Sequence, residues 1–191
     1  MDVSAIVLAG GRSSRFGEDK LSAWIGGETV LDRTVHAVGS VAVDIVIVTG
    51  ADGRAAMPAG VRVAVDAEAD GGPLVGVVAG LELAALPIVL VVGGDMPTLV
   101  GAVVESMLVA LDVPGVEAVV LEHEGRARPL PIALRRESAL AAADVLLADG
   151  ERRLRALSEA LEITVIPETT WRALDPYGMT VRDIDTPADL D

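Results

Sequence analysis

The sequence predicts an α/β fold with three layers, in which a mostly parallel central sheet is covered by helices on both faces. Short runs of β-branched residues alternate with stretches of helical character along the chain. Most of these runs are apolar throughout, which is typical of strands buried on both faces. The chain has 191 residues, 51% of them hydrophobic and 2% aromatic, so we expect one domain over residues 1–191 with an aliphatic core.

Each element follows from the local pattern. The predicted strands are residues 4–9, 44–49, 61–65, 88–92 and 117–121, and the predicted helices are residues 30–41, 74–86, 98–112, 137–148 and 152–161. Residues 129–136 contain two prolines, which cannot donate ladder hydrogen bonds, and we expect an edge or irregular strand there. Residues 162–167 and 179–184 are predicted to form further strands.

Composition excludes several classes of protein. The net charge of -14 argues against a nucleic-acid surface, and the absence of cysteine excludes disulfides, thiolate catalysis and Cys-ligated metal. Residues 73–94 carry one charge, Glu82, but Pro87 interrupts the run, which favours a buried helix and strand over a membrane span. The first residues lack the basic and apolar regions of an export signal, so we expect a cytoplasmic protein that binds neither membranes nor nucleic acid.

The loop after the first strand has the composition of a phosphate-binding loop. It reads LAGGRSSRFGEDK over residues 8–20, and adjacent glycines let backbone N–H groups approach an anion closely. Its spacing fits neither a Walker A loop nor a dinucleotide fingerprint. Lys20 is the single lysine beside 14 arginines, which indicates a role for a compact ammonium group. A solvated Gly-Ser turn is the simpler alternative.

Two carboxylates follow strands that should end at the same edge of the sheet. Asp66 ends the third predicted strand, and Asp95 follows the fourth. Mg²⁺ prefers oxygen ligands and commonly takes one or two protein carboxylates together with substrate phosphates and water. Alternatively, Asp66 stabilises a turn and Asp95 caps the helix that begins near Pro97.

The loop at residues 8–20 resembles the signature L-A-G-G-x-S-x-R-M-G-x-D-K of the molybdenum cofactor guanylyltransferases, with Phe16 in place of the family's methionine. The resemblance implies a Rossmann-like fold of the nucleotide-diphospho-sugar transferase type. Related uridylyl- and cytidylyltransferases usually carry L-A-A-G at these positions. The resemblance also implies that Arg15, Lys20 and Asp95 are catalytic, and that Asp95 binds Mg²⁺.

Further motifs extend the resemblance. Residues 94–99 resemble the family's D-x-P motif, and residues 72–76 resemble its G-P-L-x-G segment. The implied nucleotide-binding residues are Leu8, Ala9, Gly10, Gly11, Lys20, Asp66, Gly72, Gly76 and Asp95. The family's asparagine after the second strand has no counterpart in residues 48–52, which read VTGAD.

The second half of the chain supplies the expected acceptor side. Residues 126–155 hold half of the arginines, and guanidinium groups suit a phosphate-bearing acceptor, although balanced charges on helix faces would also explain them. Residues 150–153 resemble the family's G-x-R-R segment. Residues 181–190 resemble N-x-N-T-P-x-D-L with aspartate at both asparagine positions. The implied acceptor-binding residues are Arg128, Arg152, Arg153 and Asp183. A carboxylate only accepts hydrogen bonds and adds charge where the family has an amide, so Asp185 is either a second Mg²⁺ ligand or an acceptor contact that differs from the family's.

The resemblance therefore implies transfer of GMP from GTP to the terminal phosphate of molybdopterin, with Mg²⁺ as cofactor and pyrophosphate as the leaving group. It divides the domain into a nucleotide-binding half, residues 1–100, and an acceptor-binding half, residues 101–191. GTP and molybdopterin are the expected partners, with transient contacts to other proteins of cofactor biosynthesis. The alternatives are cytidylyl transfer to molybdopterin, nucleotidyl transfer to a sugar or polyol phosphate, and a catalytically silent nucleotide-binding regulator.

Overall fold

A seven-stranded sheet with helices on both faces organises the chain. The computed structural model describes residues 2–10, 19–51, 53, 56–66 and 71–190. The strands are β1 Ser4–Leu8, β2 Trp24–Ile25, β3 Glu28–Thr29, β4 Asp44–Gly50, β5 Arg62–Asp66, β6 Ile88–Gly93, β7 Ala118–His123, β8 Arg126–Arg135 and β9 Ile163–Ile166. The helices are α1 Val30–Gly39, α2 Pro73–Leu83, α3 Gly101–Leu111, α4 Arg136–Ala148, α5 Leu154–Ala160 and α6 Glu168–Trp171.

The sheet has the strand order β5-β4-β1-β6-β8-β7-β9, and β2 and β3 form a separate hairpin. Strand β1 pairs in parallel with β4 and β6, and β4 pairs in parallel with β5. Strand β8 runs antiparallel to both β6 and β7, so β7 runs in the same direction as β6. The carboxyl ends of β1, β4, β5 and β6 therefore meet at one edge. This confirms the predicted fold class.

Both faces of the sheet are covered by aliphatic packing. Along β1, Ile6 packs in a cluster with residues of α2, while its neighbour Val7 packs in a second cluster with residues of α1 and α3. Side chains alternate between the two faces along a strand, so an unbroken apolar strand supplies both clusters. The apolar composition of the strands is thus explained by burial on two sides.

The predicted helices are confirmed, with shifts at their ends. Helix α3 begins at Gly101 rather than at residue 98. The Thr98 hydroxyl donates to the Met179 carbonyl at 2.8 Å, and the Val100 N–H donates to the Thr180 hydroxyl at 3.3 Å. These bonds tie the residues before α3 to the C-terminal segment instead of to a first helical turn.

One strand prediction was partly wrong and another was wrong: residues 129–136 form an irregular strand, as predicted, but not at an edge of the sheet. The strand at residues 129–136 lies between β6 and β7 in the interior of the sheet, because its prolines fall outside the regular ladder. Pairing with β6 covers residues 132–135, and the pairing with β7 changes register between Val120 and Glu122. Residues 179–184 do not form a strand, and Met179–Val181 is a 3₁₀ turn. In the described part of the chain, no helix combines the length and apolar character needed to cross a membrane.

Candidate active site

Three segments that are distant in sequence meet at the carboxyl edge of the sheet. Lys20 begins a 3₁₀ turn, Asp95 follows β6, and Asp185 lies near the C-terminus. The Lys20 Nζ lies 2.5 Å from Asp95 Oδ2 and 3.6 Å from Asp185 Oδ1. The structure thus brings the predicted catalytic lysine and the predicted Mg²⁺ ligand into direct contact.

Local hydrogen bonds explain why Lys20 is held at this place. The Asp19 carboxylate caps the turn by accepting the Leu21 N–H at 3.3 Å and the Ser22 hydroxyl at 2.7 Å. Leu21 is buried and anchors the turn in the core. An aspartate at this position satisfies N–H groups that the short turn leaves open.

The loop that carries Asp95 is fixed from two sides. The Gly94 N–H donates to the Leu8 carbonyl at the end of β1 at 2.9 Å. The buried Thr34 hydroxyl of α1 donates to the Gly94 carbonyl, also at 2.9 Å. The sequence analysis did not identify Thr34, although a polar residue on the apolar face of α1 is a signal that could have identified it. The side chain of Asp95 folds back over Gly93, where a Cβ atom would collide with its carboxylate.

The electrostatics of Lys20 keep it charged. Burial alone would lower the pKa of Lys20, but the hydrogen bond and charge of Asp95, with the charge of Asp185, raise it above its ordinary value. The ammonium group therefore remains protonated throughout the neutral range. A permanently charged donor at this edge suits an anionic ligand.

The C-terminal segment is attached directly to the Asp95 loop. The Ile184 N–H donates to the Asp95 carbonyl at 2.9 Å, and the Ile184 side chain is buried. The residues on either side of Ile184 carry the two carboxylates, and they contact different cations. Asp185 lies near Lys20, while Asp183 Oδ2 accepts a hydrogen bond from Arg128 Nη2 at 2.7 Å.

The environment of Asp183 disfavours its charge despite that ion pair. Burial is the largest effect and raises the pKa of Asp183, and the charge and hydrogen bond of Arg128 lower it. The charges of Asp95 and Asp185 raise it again, and the net shift is upward. Asp95 and Asp185 are therefore close enough for their charges to raise the pKa of Asp183.

The predicted nucleotide-binding residues lie at the same edge. Asp66 ends β5, and its Oδ2 lies 3.8 Å from the position a Cβ atom would take on Gly76. Ala9 donates its N–H to the Val48 carbonyl at 2.8 Å, and Gly10 lies against the backbone of Gly50. Gly11 and Arg15 fall outside the described residues.

Gly72 connects this region to the predicted acceptor half. It precedes α2 with a φ of 83°, and a Cβ atom there would lie 2.9 Å from the Arg152 carbonyl oxygen. The Leu74 N–H donates to the same carbonyl at 3.2 Å. Glycine is required because the backbone combines a left-handed φ with a close approach.

The arginines predicted to bind the acceptor occupy two places. Arg128 lies on β8 beside Asp183, whereas Arg152 lies against the start of α2. The Arg153 guanidinium is exposed and pairs with the Glu151 carboxylate at 2.5 Å. Arg128 thus contacts a different part of the chain from Arg152 and Arg153, and the acceptor-binding role of each stays a prediction.

The donor set at the edge suits a hard divalent cation. Asp95 and Asp185 both lie within 3.6 Å of one ammonium nitrogen, so a single ion could contact both carboxylates. Among the described residues, no group of three or more His, Cys, Asp or Glu side chains is placed to hold a metal. Two carboxylates completed by substrate phosphates and water are the usual protein environment of Mg²⁺.

The fold and the site together define a nucleotidyltransferase: a mostly parallel sheet whose carboxyl edge brings together Gly10, the Lys20 ammonium group and the Asp95 carboxylate after a neighbouring strand. Residues 5–165 match the MobA-like NTP transferase domain. The chain belongs to this family.

Relatives agree with the family assignment. A probable molybdenum cofactor guanylyltransferase of Chloroflexus aggregans is 32% identical over 100% of this chain and 92% of its own length. A molybdenum cofactor guanylyltransferase of Sinorhizobium fredii is 34% identical over 98% of this chain and 88% of its own. The crystal structure of a molybdopterin-guanine dinucleotide biosynthesis protein A from Archaeoglobus fulgidus superimposes with a TM-score of 0.82 at 22% identity, covering 98% of this chain and 94% of that chain, and shares the fold.

Proposed function

We propose that this chain transfers GMP from GTP to the terminal phosphate of molybdopterin, forming molybdopterin guanine dinucleotide and releasing pyrophosphate. Its relatives along the whole chain carry the name of that activity. The observation that carries the proposal is the Lys20 ammonium group, held between Asp95 and Asp185 at the carboxyl edge of the sheet.

The chemistry needs alignment and charge neutralisation more than proton transfer. A phosphate monoester is already ionised near neutral pH, so it attacks the α-phosphate of GTP without a general base. Catalysis then consists of holding two anionic groups in line and stabilising the charge that moves to the leaving pyrophosphate. A charged lysine beside a phosphate-binding turn performs the second task.

We assign the residues of the site as follows. Lys20, with Gly10, Gly11 and Arg15, binds the β- and γ-phosphates. The nucleoside is framed by Leu8, Ala9, Asp66, Gly72 and Gly76. The acceptor is bound in the half formed by residues 101–191 through Arg128, Arg152, Arg153 and Asp183.

Asp95 and Asp185 are the residues that would hold Mg²⁺. The ion when bound neutralises phosphate charge and polarises the phosphorus that is attacked. The two carboxylates already point at one cation, the Lys20 ammonium group, in the described structure. In the complex we expect Lys20 to turn toward the phosphates, which leaves both carboxylates available to the metal.

The test is release of pyrophosphate from GTP, CTP or UTP with molybdopterin and Mg²⁺. Among the three nucleotides, we expect only GTP to support release. Asp95→Asn should lower turnover about 10²-fold or more, equivalent to roughly 2.7 kcal/mol of transition-state stabilisation. Asp144→Asn, an exposed aspartate in α4, is the matched control and should leave turnover unchanged.

The remaining outcomes identify the alternatives. Release from CTP but not GTP would indicate a cytidylyltransferase. Stabilisation of the protein by GTP without any release would indicate a nucleotide-binding regulator; a ligand at 100 times its Kd adds about 2.7 kcal/mol to the free energy of unfolding. A cytoplasmic location is part of the same proposal, and cell fractionation tests it.

A further inference from the structure

Asp183 stands at one of the two positions where the family pattern has asparagine, and it contacts a cation on a different element. Arg128 lies on β8, 55 residues earlier in the chain, and its Nη2 donates to Asp183 Oδ2 at 2.7 Å. Both side chains are partly buried, with 27% of Arg128 and 33% of Asp183 exposed. An ion pair at this depth is better shielded from solvent than a surface pair.

The Arg128 guanidinium keeps donors that this pair does not use. Arginine has five N–H donors in a planar fork. The Nε atom of Arg128 is buried and has no hydrogen-bond partner within the described part of the chain. Leaving a buried charged donor unsatisfied is costly, so an arrangement of this kind favours a ligand that supplies oxygen atoms. Phosphate fits, because its oxygens match the fork of a guanidinium group.

The backbone directs the carboxylates of Asp183 and Asp185 to two different cations. The Ile184 N–H bonds to the Asp95 carbonyl, which fixes the segment between them. From this anchor Asp185 reaches Lys20, and Asp183 reaches Arg128. One carboxylate therefore serves the side of the site that holds Lys20, and the other serves the side formed by β8.

We infer that Asp183 is a positioning residue, which holds the Arg128 guanidinium so that its remaining donors bind the phosphate of the acceptor. This inference rests on the proposed function, because it assigns the Arg128 side of the site to the acceptor. Asp183 therefore contributes to acceptor binding through Arg128, and it does not bind the metal. Its carboxylate fixes one end of the Arg128 fork, and the ordering of the fork before binding saves part of the entropy cost of binding.

The experiment is a double-mutant cycle with Arg128→Ala, Asp183→Ala and the double variant, measured as kcat and KM for molybdopterin at saturating GTP and Mg²⁺. We expect Arg128→Ala to raise the acceptor KM about tenfold or more, and Asp183→Ala to raise it about threefold to tenfold. The double variant should match Arg128→Ala within about twofold, because Asp183 acts only through Arg128. The KM for GTP should stay within about twofold in all three variants.

Two further variants separate positioning from a general structural role. Asp183→Asn keeps an oxygen that accepts from Nη2, so it should restore the acceptor KM to within about threefold of the unmodified protein. It also provides a folded test if Asp183→Ala unfolds. Arg155→Ala removes an arginine whose partner Glu159 lies one turn away on the exposed face of α5, and it should leave the acceptor KM unchanged.

Effects of Arg128→Ala and Asp183→Ala that multiply would overturn the inference, because Asp183 would then act independently of Arg128. A shift in the Mg²⁺ requirement of Asp183→Asn would also overturn it by making Asp183 a metal ligand. An unmodified protein that transfers no GMP would overturn the proposed function and this inference together. The three results differ, so each failure identifies its own cause.

Discussion

Replacing Lys20 with methionine tests the centre of the proposed site. Methionine keeps much of the length and apolar volume of lysine but removes the ammonium group, which contacts Asp95 at 2.5 Å and Asp185 at 3.6 Å. We expect Lys20→Met to lower kcat/KM for guanylyl transfer at least about 10²-fold. Asp95→Asn is expected to have an effect of similar size, because the proposed function places both residues at the same triphosphate.

The magnitude follows from the geometry of the pair. A preorganised donor aimed at charge that develops in the transition state contributes about 2.7–4 kcal/mol, or 10²–10³ in rate. Lys20 is a charged donor held by two carboxylates, so we assign it at least the lower value. The cost to folding should be about 1–2 kcal/mol, because Lys20→Met leaves the Asp95 carboxylate, about one-fifth exposed, without its nearest cation.

The assay is pyrophosphate release with GTP, molybdopterin and Mg²⁺, run beside thermal unfolding. Arg155→Met is the matched control, because it removes one cation from an exposed pair with Glu159 on α5 and should keep full activity. Lys20→Arg adds a second comparison: it keeps the charge but replaces a compact group with a wide fork, so we expect at least about a tenfold loss. The role given to this lysine would be refuted if Lys20→Met remains folded in the assay and keeps its activity within tenfold of that of the unmodified protein.

Three further substitutions test the frame around the site. Gly72→Ala should lower kcat/KM for GTP about tenfold or more, because its Cβ would lie 2.9 Å from the Arg152 carbonyl oxygen; Gly115→Ala, with a similar φ of 86° and open space around it, should affect only unfolding. Asp175→Asn should make the free energy of unfolding, measured by urea titration at several pH values, fall less as the pH is lowered. Burial would raise the pKa of Asp175, but nearby N–H donors hold this pKa below its ordinary 3.8. The contribution of Asp175 to the free energy of unfolding is therefore full above pH 3.8 and is lost as the pH falls further. Trp171→Phe should cost about 1–3 kcal/mol in denaturant unfolding, since the buried indole N–H donates to a carbonyl of β7 at 2.7 Å.

The sheet was predictable because burial on both faces restricts which residue types a strand can contain. A strand covered on both faces has little room for polar residues, and residues 88–92 are apolar throughout. The interior place of β8 was harder to predict, since its two prolines favoured an edge. They are accommodated because the regular ladder with β6 begins only at Ile132. Sequence pattern reports which residues are prolines, but not which part of a strand is paired.

The C-terminal segment was mispredicted for a related reason. Residues 179–182 alternate between apolar and polar side chains as strands do, but the polar groups of this segment bond elsewhere in the chain. The Thr180 N–H donates to the Asp175 carboxylate at 2.7 Å, and its hydroxyl accepts the Val100 N–H. These tertiary bonds replace a strand ladder. Single-sequence patterning does not contain them, because the partners lie up to 80 residues away.

The contact between Lys20 and Asp95 was predictable despite the 75 residues between them. Both follow strands of one parallel sheet, and the carboxyl ends of such strands meet at one edge. The pairing of Arg128 with Asp183 was not predictable in the same way. Strand β8 runs antiparallel to its neighbours, so its first residues, not its last, reach this edge. The resemblance names both residues for acceptor binding, but the direction of β8 had to be known before Arg128 could be placed beside Asp183.

Charge balance explains how this chain accommodates aspartate at both positions where the family pattern has asparagine. Each carboxylate faces a cation: Asp185 lies 3.6 Å from the Lys20 ammonium group, and Asp183 lies 2.7 Å from the Arg128 guanidinium group. An asparagine would leave both cations with less compensation, whereas two unpaired aspartates would repel Asp95 and the phosphates. A phosphate on the Lys20 side would compete with carboxylates already in place, whereas on the Arg128 side it would use guanidinium donors that Asp183 does not occupy. Under the proposed function, Asp95 and Asp185 are the carboxylates that would hold Mg²⁺, and Lys20 would then turn toward the phosphates.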